Sequence, residues 1–391
     1  MNLARIVVGA VFAGFMSVSF ALDLKAKSAI VVEERTGIVL FEKDADAIRY
    51  PASTTKILTA LLLLETTDLG ETVIAPASCV QVEGASLHLK PNETLSARDL
   101  LYGILLRSAN DGCHAFAVHL DGSDELFAAR MNERAKAIGC ARTHFCAPHG
   151  LHNDRHYTTA RDLAMIAREA MKNEQFRSIV SRRRATISRS INTKDTLLIS
   201  KNALLDEDKS YDGIKTGYTK VAGGCFVGSA IRNGMRVITV ILNSEDWKSD
   251  QVKLMNWAHS NYVRTAVFKK GDALGDATIA TNPDVRIPVH IQADIPFAHK
   301  KITPPNVEVV LVPKEGLSFP IEKGAEVGVA EISDGKGWTV KAPIFASERV
   351  ERPILANPAS LGFWVGGIVL VGLTVFAKHR SRTVSQWAST R

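Results

Sequence analysis

Residues 225–242 read Cys-Phe-Val-Gly-Ser-Ala-Ile-Arg-Asn-Gly-Met-Arg-Val-Ile-Thr-Val-Ile-Leu. Residues 225–231 and 235–242 are apolar, β-branched runs of strand length, and Arg232-Asn233-Gly234 supplies the positive-φ residues that a tight hairpin needs. A second hairpin pattern opens the body of the chain, with residues 29–33 and 38–41 joined across Arg35-Thr36-Gly37. Between the two hairpins the pattern is mostly helical. Apolar residues recur at three- and four-residue spacing from Ser53 to Leu64, then in 97–106, 113–120, 126–138 and 160–171, and a closing helix is expected over 247–263. Strands at both ends with helices between them predict an α+β domain, one antiparallel sheet with helices packed on it.

After about residue 267 the texture changes. Residues 285–291, 307–312, 326–332 and 338–341 alternate apolar and polar side chains between Pro- and Gly-containing turns, the pattern of a small all-β domain. The expected division is 22–266 for the larger domain, 267–352 for the β-rich one, and 353–358, bearing Pro353 and Pro358, as a linker. Residues 359–377 then run uncharged for 19 residues, which at ~1.5 Å each suffices to cross a ~30 Å hydrocarbon layer. Lys378, Arg380 and Arg382 follow at once in a basic tail, 378–391, so the positive-inside rule puts that tail in the cytoplasm. At the other end Arg5 precedes the uncharged stretch 6–20 and a small-residue cleavage pattern at Ser19 and Ala21. That is a secretory signal over 1–21, with an uncleaved anchor as the competing reading. Both ends place the body outside the cytoplasmic membrane, facing the periplasm or extracytoplasmic side and tethered by one C-terminal transmembrane helix.

Composition supports a folded, exported chain. Of the 391 residues, 46% are apolar and 23% charged, which excludes a disordered or collagen-like protein. The net charge of +7 sits largely at the ends, and a nearly neutral body is not the footprint of a nucleic-acid binder, so no nucleic-acid partner is expected. Five cysteines, at 79, 113, 140, 146 and 225, leave at least one unpaired within the chain; Cys140 and Cys146 are near enough in sequence for a small-loop disulfide.

Three short motifs carry the chemistry. Ser53-Thr54-Thr55-Lys56 opens a helix, Ser108-Ala109-Asn110 ends one, and Lys215-Thr216-Gly217 precedes the 225–242 hairpin. A serine hydroxyl is a poor nucleophile until a neighbouring base takes its proton. Residues three apart share a helix face, so Lys56 reaches Ser53. The apolar residues after Lys56 argue that its amine is desolvated, and desolvation favours the neutral, basic form. Ser108 fits a proton relay and Asn110 a partner for a substrate amide. Lys215 offers a fixed positive charge for a carboxylate, Thr216 a hydroxyl, and Gly217 close backbone approach.

In this order, in an exported chain, the motifs resemble the serine D-Ala-D-Ala carboxypeptidases, the low-molecular-mass penicillin-binding proteins. Tyr50-Pro51-Ala52 before the nucleophile, Thr143-His144-Phe145 with Pro148-His149-Gly150-Leu151, and Asp212-Gly213-Ile214 before Lys215 extend the likeness over about residues 25–265. The resemblance implies the serine penicillin-recognising fold. It implies Ser53 as acylated nucleophile, Lys56 as its base, Ser108 and Asn110 as the second motif, and Lys215, Thr216 and Gly217 on the substrate-binding strand. The oxyanion hole falls to the backbone N–H groups of Ser53 and Tyr218. The implied substrates are peptidoglycan stem peptides, the inhibitors β-lactams, with no cofactor and no metal. Ala147, where the family usually has Asn, and the spanning tether depart from the pattern.

Other readings are weaker. Cys140, Cys146, His149, His152 and His156 form a dense cluster, but their spacing matches no standard zinc motif. Glu169 could suit a β-lactamase's water-activating carboxylate, yet it lies in a helical pattern that reads as a solvated face. The run Arg182-Arg183-Arg184 likewise reads as a solvated face. A D,D-endopeptidase or transpeptidase would use the same residues, and a catalytically silent wall-binding scaffold would have no need to keep Ser53 and Lys56 together.

Overall fold

The computed structural model describes residues 6–7, 22–279 and 282–351. Apart from the two-residue strand Ile6–Val7, the expected signal segment lies outside the described residues, as do the linker 353–358, the span 359–377 and the tail 378–391. No helix among the described residues is long and apolar enough to cross a membrane.

The larger unit is built on a five-stranded antiparallel sheet. Its strands lie in the order Val39–Lys43, Ser28–Glu33, Met235–Ser244, Gly223–Arg232, Tyr211–Thr219. The hairpin anticipated at 225–242 pairs Met235 with Arg232, and Asn233 and Gly234 both take left-handed φ, of 51° and 74°, as its turn demands. Successive residues of the inner strands enter opposite cores. Ala29, Val31, Val237 and Ile241 pack with Leu254, Met255 and Ala258 of the Trp247–Asn261 helix. Ile30, Val32, Ile238 and Val240 pack with Leu58, Leu61 and Ile166 on the other side. Helices on both faces explain why these strands read as continuous apolar runs rather than alternating ones.

The helix Lys56–Thr66 lies inside the second core, buried from Lys56 to Leu63. Around it pack Ala97–Tyr102, Asn110–Asp121, Asp124–Ile138 and Ala160–Lys172, close to the helical segments read from the sequence. Three begin at side-chain caps, with Ser96, Ser123 and Thr159 each accepting a backbone N–H three residues on. Two short strand pairs, Thr72–Ile74 with Thr94–Ser96 and Arg184–Thr186 with Leu197–Ile199, stitch the loops between helices.

The smaller unit is all β, as expected. A sheet containing Ala273–Ile279, Asn282–Ile291, Thr339–Ala346, Glu326–Ser333 and Glu308–Pro313 faces the pair Tyr262–Phe268 and Ile295–Lys300. Phe297 and Trp338 meet edge-on in its core, 4.9 Å between ring centroids. The helix expected to reach residue 263 stops at Asn261, because Tyr262 begins the strand that pairs with Ile295–Lys300. All five cysteines are free thiols, so Cys140 and Cys146 form no small-loop disulfide.

Candidate active site

Ala52–Thr55 form one 3₁₀ turn that runs directly into the Lys56–Thr66 helix. Ala52 is buried with a left-handed φ of 49°, a conformation that costs a non-glycine residue about 1–3 kcal/mol. It is held there by its surroundings: Thr54 Oγ1 donates to Pro51 O at 2.6 Å and Thr55 Oγ1 to Ala52 O at 2.8 Å. Gly150 presses on the same turn, and any side chain there would run into Ala52 O. Ser53 is the one residue from 51 to 63 that is not buried.

Lys56 is fully buried, and its amine has three neighbours. Nζ lies 3.1 Å from Ser53 Oγ, 2.7 Å from Asn110 Oδ1 and 2.6 Å from the His149 carbonyl. Asn110 Oδ1 and His149 O can only accept, so they take two N–H bonds. In a neutral amine the third tetrahedral position, its lone pair, is then aimed at Ser53. Burial pushes the Lys56 pKa down to about 8, which brings that neutral form within reach near neutral pH.

The second motif sits where a helix changes character. Ala97–Tyr102 passes into a π turn, Gly103–Arg107, and Ser108 stops it with a left-handed φ of 66°. Asn110 then starts a new helix. Its Nδ2 donates to Glu83 O at 2.7 Å, and the neighbouring Asp111 carboxylate accepts the N–H groups of Leu87 and Leu89 and the Ser86 hydroxyl. The loop over the cleft is thereby fixed to the residues that line it.

Lys215 enters from the edge strand, only 2% exposed, its Nζ 3.0 Å from Ser108 Oγ and 2.9 Å from Thr216 O. Burial holds its pKa well below the usual lysine value, and the Lys56 charge adds to this. Gly217 explains how strand and turn come so close: a Cβ there would lie 3.0 Å from Ser53 N and 3.1 Å from both Pro51 O and Thr54 N. Those are backbone atoms that cannot move aside. Thr216 is half-buried next to Lys215, and the Tyr218 side chain is 72% exposed at the rim. The structure therefore brings Ser53, Lys56, Ser108, Asn110, Lys215, Thr216 and Gly217 to one cleft, with the main chain of Tyr218 beside them.

Three contributions were missed in the sequence. His149 serves through its carbonyl, which no residue type announces. Its ring points away, Nδ1 accepting from Leu151 N and Nε2 lying 3.6 Å from Asp124 Oδ2. Asp124 Oδ1 in turn meets His114 Nδ1 at 2.9 Å, and His114 is one helical turn beyond Asn110. Burial opposes the Asp124 charge, yet the two histidines hold its pKa at about 2. One carboxylate thus ties together both supports of the Lys56 amine. The third is Lys201, whose charge also depresses the pKa values of Lys56 and Lys215; its N–H bonds Leu106 O beside the second motif.

The Cys/His cluster disperses. His156 Nδ1 accepts from Cys146 N, so its Nε2–H donates to Thr55 Oγ1 at 2.9 Å, and burial pushes its pKa down to about 3. His152 stacks edge-on against Tyr50. Cys140 faces the Asp162 carbonyl. Among the described residues no three His, Cys, Asp or Glu side chains are grouped to hold a metal ion. Glu169 pairs with Lys172 at 2.7 Å and Arg134 at 3.0 Å on a helix face. Arg183 is bonded to Asp206 and Arg182 lies over the Tyr102 ring.

Comparison with known proteins agrees with this architecture. A family model described as D-alanyl-D-alanine carboxypeptidase matches residues 16–246, and one described as the C-terminal domain of penicillin-binding protein 5 matches residues 262–352. The D-alanyl-D-alanine carboxypeptidase DacF of Bacillus subtilis is 29% identical over 368 residues, which is 90% of this chain and 94% of that one. The structure of penicillin binding protein 5 from Haemophilus influenzae has a TM-score of 0.68 at 24% identity, covering 84% of this chain and 98% of its own, a likeness of fold. A mutant of the Streptomyces K15 DD-transpeptidase has a TM-score of 0.58 at 31% identity, over 61% of this chain and 98% of its own.

Proposed function

The chain belongs to the D-alanyl-D-alanine carboxypeptidase family of serine peptidases, and from that membership we propose that it removes the terminal D-Ala of peptidoglycan stem peptides through an acyl-enzyme on Ser53. One observation carries the assignment of the nucleophile: a fully buried amine 3.1 Å from Ser53 Oγ, with its other directions taken by two acceptors.

In this reading the neutral Lys56 amine accepts the Ser53 proton as Oγ attacks the penultimate D-Ala carbonyl. The backbone N–H groups of Ser53 and Tyr218 bond the oxygen that becomes negative. Lys215 and Thr216 grip the terminal carboxylate, and the arriving anion favours the charged form of Lys215 that burial alone disfavours. The new ammonium on Lys56, relayed through Ser108, supplies the proton on which D-alanine leaves as an amine. Water then attacks the ester, Lys56 takes its proton and passes it to Ser53 Oγ as the ester C–O bond breaks, and the shortened peptide departs. A β-lactam presents a similar carboxylate and carbonyl, so it acylates Ser53 as well. With Glu169 engaged by Lys172 and Arg134, that ester should hydrolyse slowly.

The test is mass spectrometry of the protein with penicillin, beside release of D-alanine from a synthetic pentapeptide. The expected result is one adduct on a Ser53 peptide and D-alanine release, both lost in Ser53→Ala. An adduct at another serine, or release by Ser53→Ala, would overturn the assignment. The 31% identity to a DD-transpeptidase supports a second reading, in which an amine replaces water as acceptor. Labelling without D-alanine release from the peptide alone, restored by an added amine acceptor, would select it. We further propose export by the 1–21 segment and tethering by 359–377, which rest on the sequence pattern. Full-length chain in the soluble fraction of lysed cells would refute the tether.

A further inference from the structure

A second cavity lies between the two folded units, about 700 Å³ in volume and far from Ser53. It opens beside the edge strand Val39–Lys43, whereas Lys215 is on the opposite edge; four strand spacings separate them, about 19 Å. Its walls come from both units, which are held together there: Tyr262 OH donates to Leu40 O at 3.1 Å and Arg264 Nη1 to Glu33 Oε1 at 2.8 Å.

The lining is rich in donors that lack acceptors. Arg168 lies across Gly37, where any side chain would collide with the guanidinium. Its Nε donates to Glu34 O at 2.9 Å, and among the described residues neither terminal nitrogen has an acceptor. A half-buried guanidinium with one of five N–H donors engaged is poised for a bidentate anion. Lys300 and Lys336 also line the cavity and form no ion pair among the described residues. Of the other charges nearby, Arg161 is paired with Glu42 and Asp46, and Asp334 keeps its charge while accepting the N–H groups of Lys336 and Trp338. Glu34, Glu33 and Glu169, the carboxylates that act on Arg168, are paired with Arg236, with Arg264, and with Arg134 and Lys172. Tyr262 and Trp338 add aromatic wall. The volume is in the range of small-ligand sites, and domain junctions are where such sites concentrate.

We propose that this cleft binds a carboxylate-bearing sugar, the anionic group on Arg168 with Lys300 and Lys336 and the ring against Tyr262 and Trp338. The choice of sugar rests on the wall-polymer substrate proposed above: the cleft holds a residue of the saccharide strand whose carboxylate bears no stem peptide, while the catalytic site works on the stem peptide of another residue. Calorimetric titration of the full-length protein with N-acetylmuramic acid tests it. Saturable binding is expected, weakened by added salt, absent with neutral N-acetylglucosamine, and at least tenfold weaker in Arg168→Gln. Release of D-alanine from a free pentapeptide should be unchanged in that variant. Should Arg168→Gln fold poorly, Lys300→Gln/Lys336→Gln, altered only at exposed positions, should weaken binding several-fold. Absence of binding to the native protein, equal binding of the neutral sugar, or binding indifferent to all these substitutions would overturn the proposal. If D-alanine is released but the sugar does not bind, the cleft assignment alone falls. If the sugar binds but no D-alanine is released, the catalytic reading falls and the cleft stands.

Discussion

Lys56 has to be buried and yet lose its proton easily, and its position reconciles the two. In water a lysine is neutral only above about pH 10.4, but burial brings this one to about 8. In the proposed mechanism the neutral form is the base, so the rate of Ser53 acylation by penicillin should rise about tenfold per pH unit below 8 and level off above it. Stopped-flow acylation across pH 6–9 measures this, and Lys56→Gln should lower the plateau by about 10²–10⁴. A flat profile through pH 8, or an undiminished Lys56→Gln, would remove Lys56 from the role of base. This pair was legible in the sequence because a serine and a lysine three apart on a helix share a face whatever surrounds them. The supports were not. The His149 carbonyl and the left-handed Ala52 are main-chain facts, and neither residue type advertises them.

Between elements, the cleft depends on a buried ion pair that touches no substrate-facing group. Arg189 and Glu93 side chains are both fully buried and joined twice, Nε to Oε1 at 2.6 Å and Nη2 to Oε2 at 3.0 Å. Arg189 also donates to Leu87 O, and Leu87 N is bound by Asp111, next to Asn110. Removing Glu93 leaves the buried Arg189 charge with only Asp195, 3.7 Å from Nη1, so Glu93→Gln should cost up to about 3–5 kcal/mol of stability in urea unfolding. A double Glu93→Leu/Arg189→Met should lose much less than the two single changes together. Additive losses would mean the charges do not act as a pair. The strands this pair stitches, Thr94–Ser96 and Arg184–Thr186, were invisible in the sequence because three residues are too few to show alternation. Long helices such as Asp124–Ile138 were plain because fifteen residues repeat the pattern four times. Tyr262–Phe268 was misread at its start because Leu254, Ala258 and Tyr262 sit four apart, at helical spacing, while its partner strand begins at residue 295.

At the scale of the molecule, an all-β unit following an α+β one was readable from the change in texture after residue 267, but the contacts at their junction were not. It is made by residues distant in sequence. Glu33 is fully buried; Oε2 accepts Thr36 N and Oγ1, both at 2.7 Å, and Oε1 takes Arg264 from the smaller unit. Lys301 Nζ donates to His259 O at 2.7 Å, and Ile38 packs against the cores of both units. Arg264 therefore compensates a carboxylate that water cannot reach. Arg264→Ala leaves that charge half-satisfied and loosens the joint, while every group around Ser53 stays in place. Calorimetry should then show the single unfolding transition of the parent broaden or divide in two, with the lower midpoint several degrees below the original. D-Alanine release from a free pentapeptide should stay within about twofold, because Ser53, Lys56 and the Lys215 strand all lie within the larger unit. One unshifted transition in Arg264→Ala would mean that the units are joined by apolar packing alone, and a large loss of activity would mean that the smaller unit shapes the catalytic cleft from a distance.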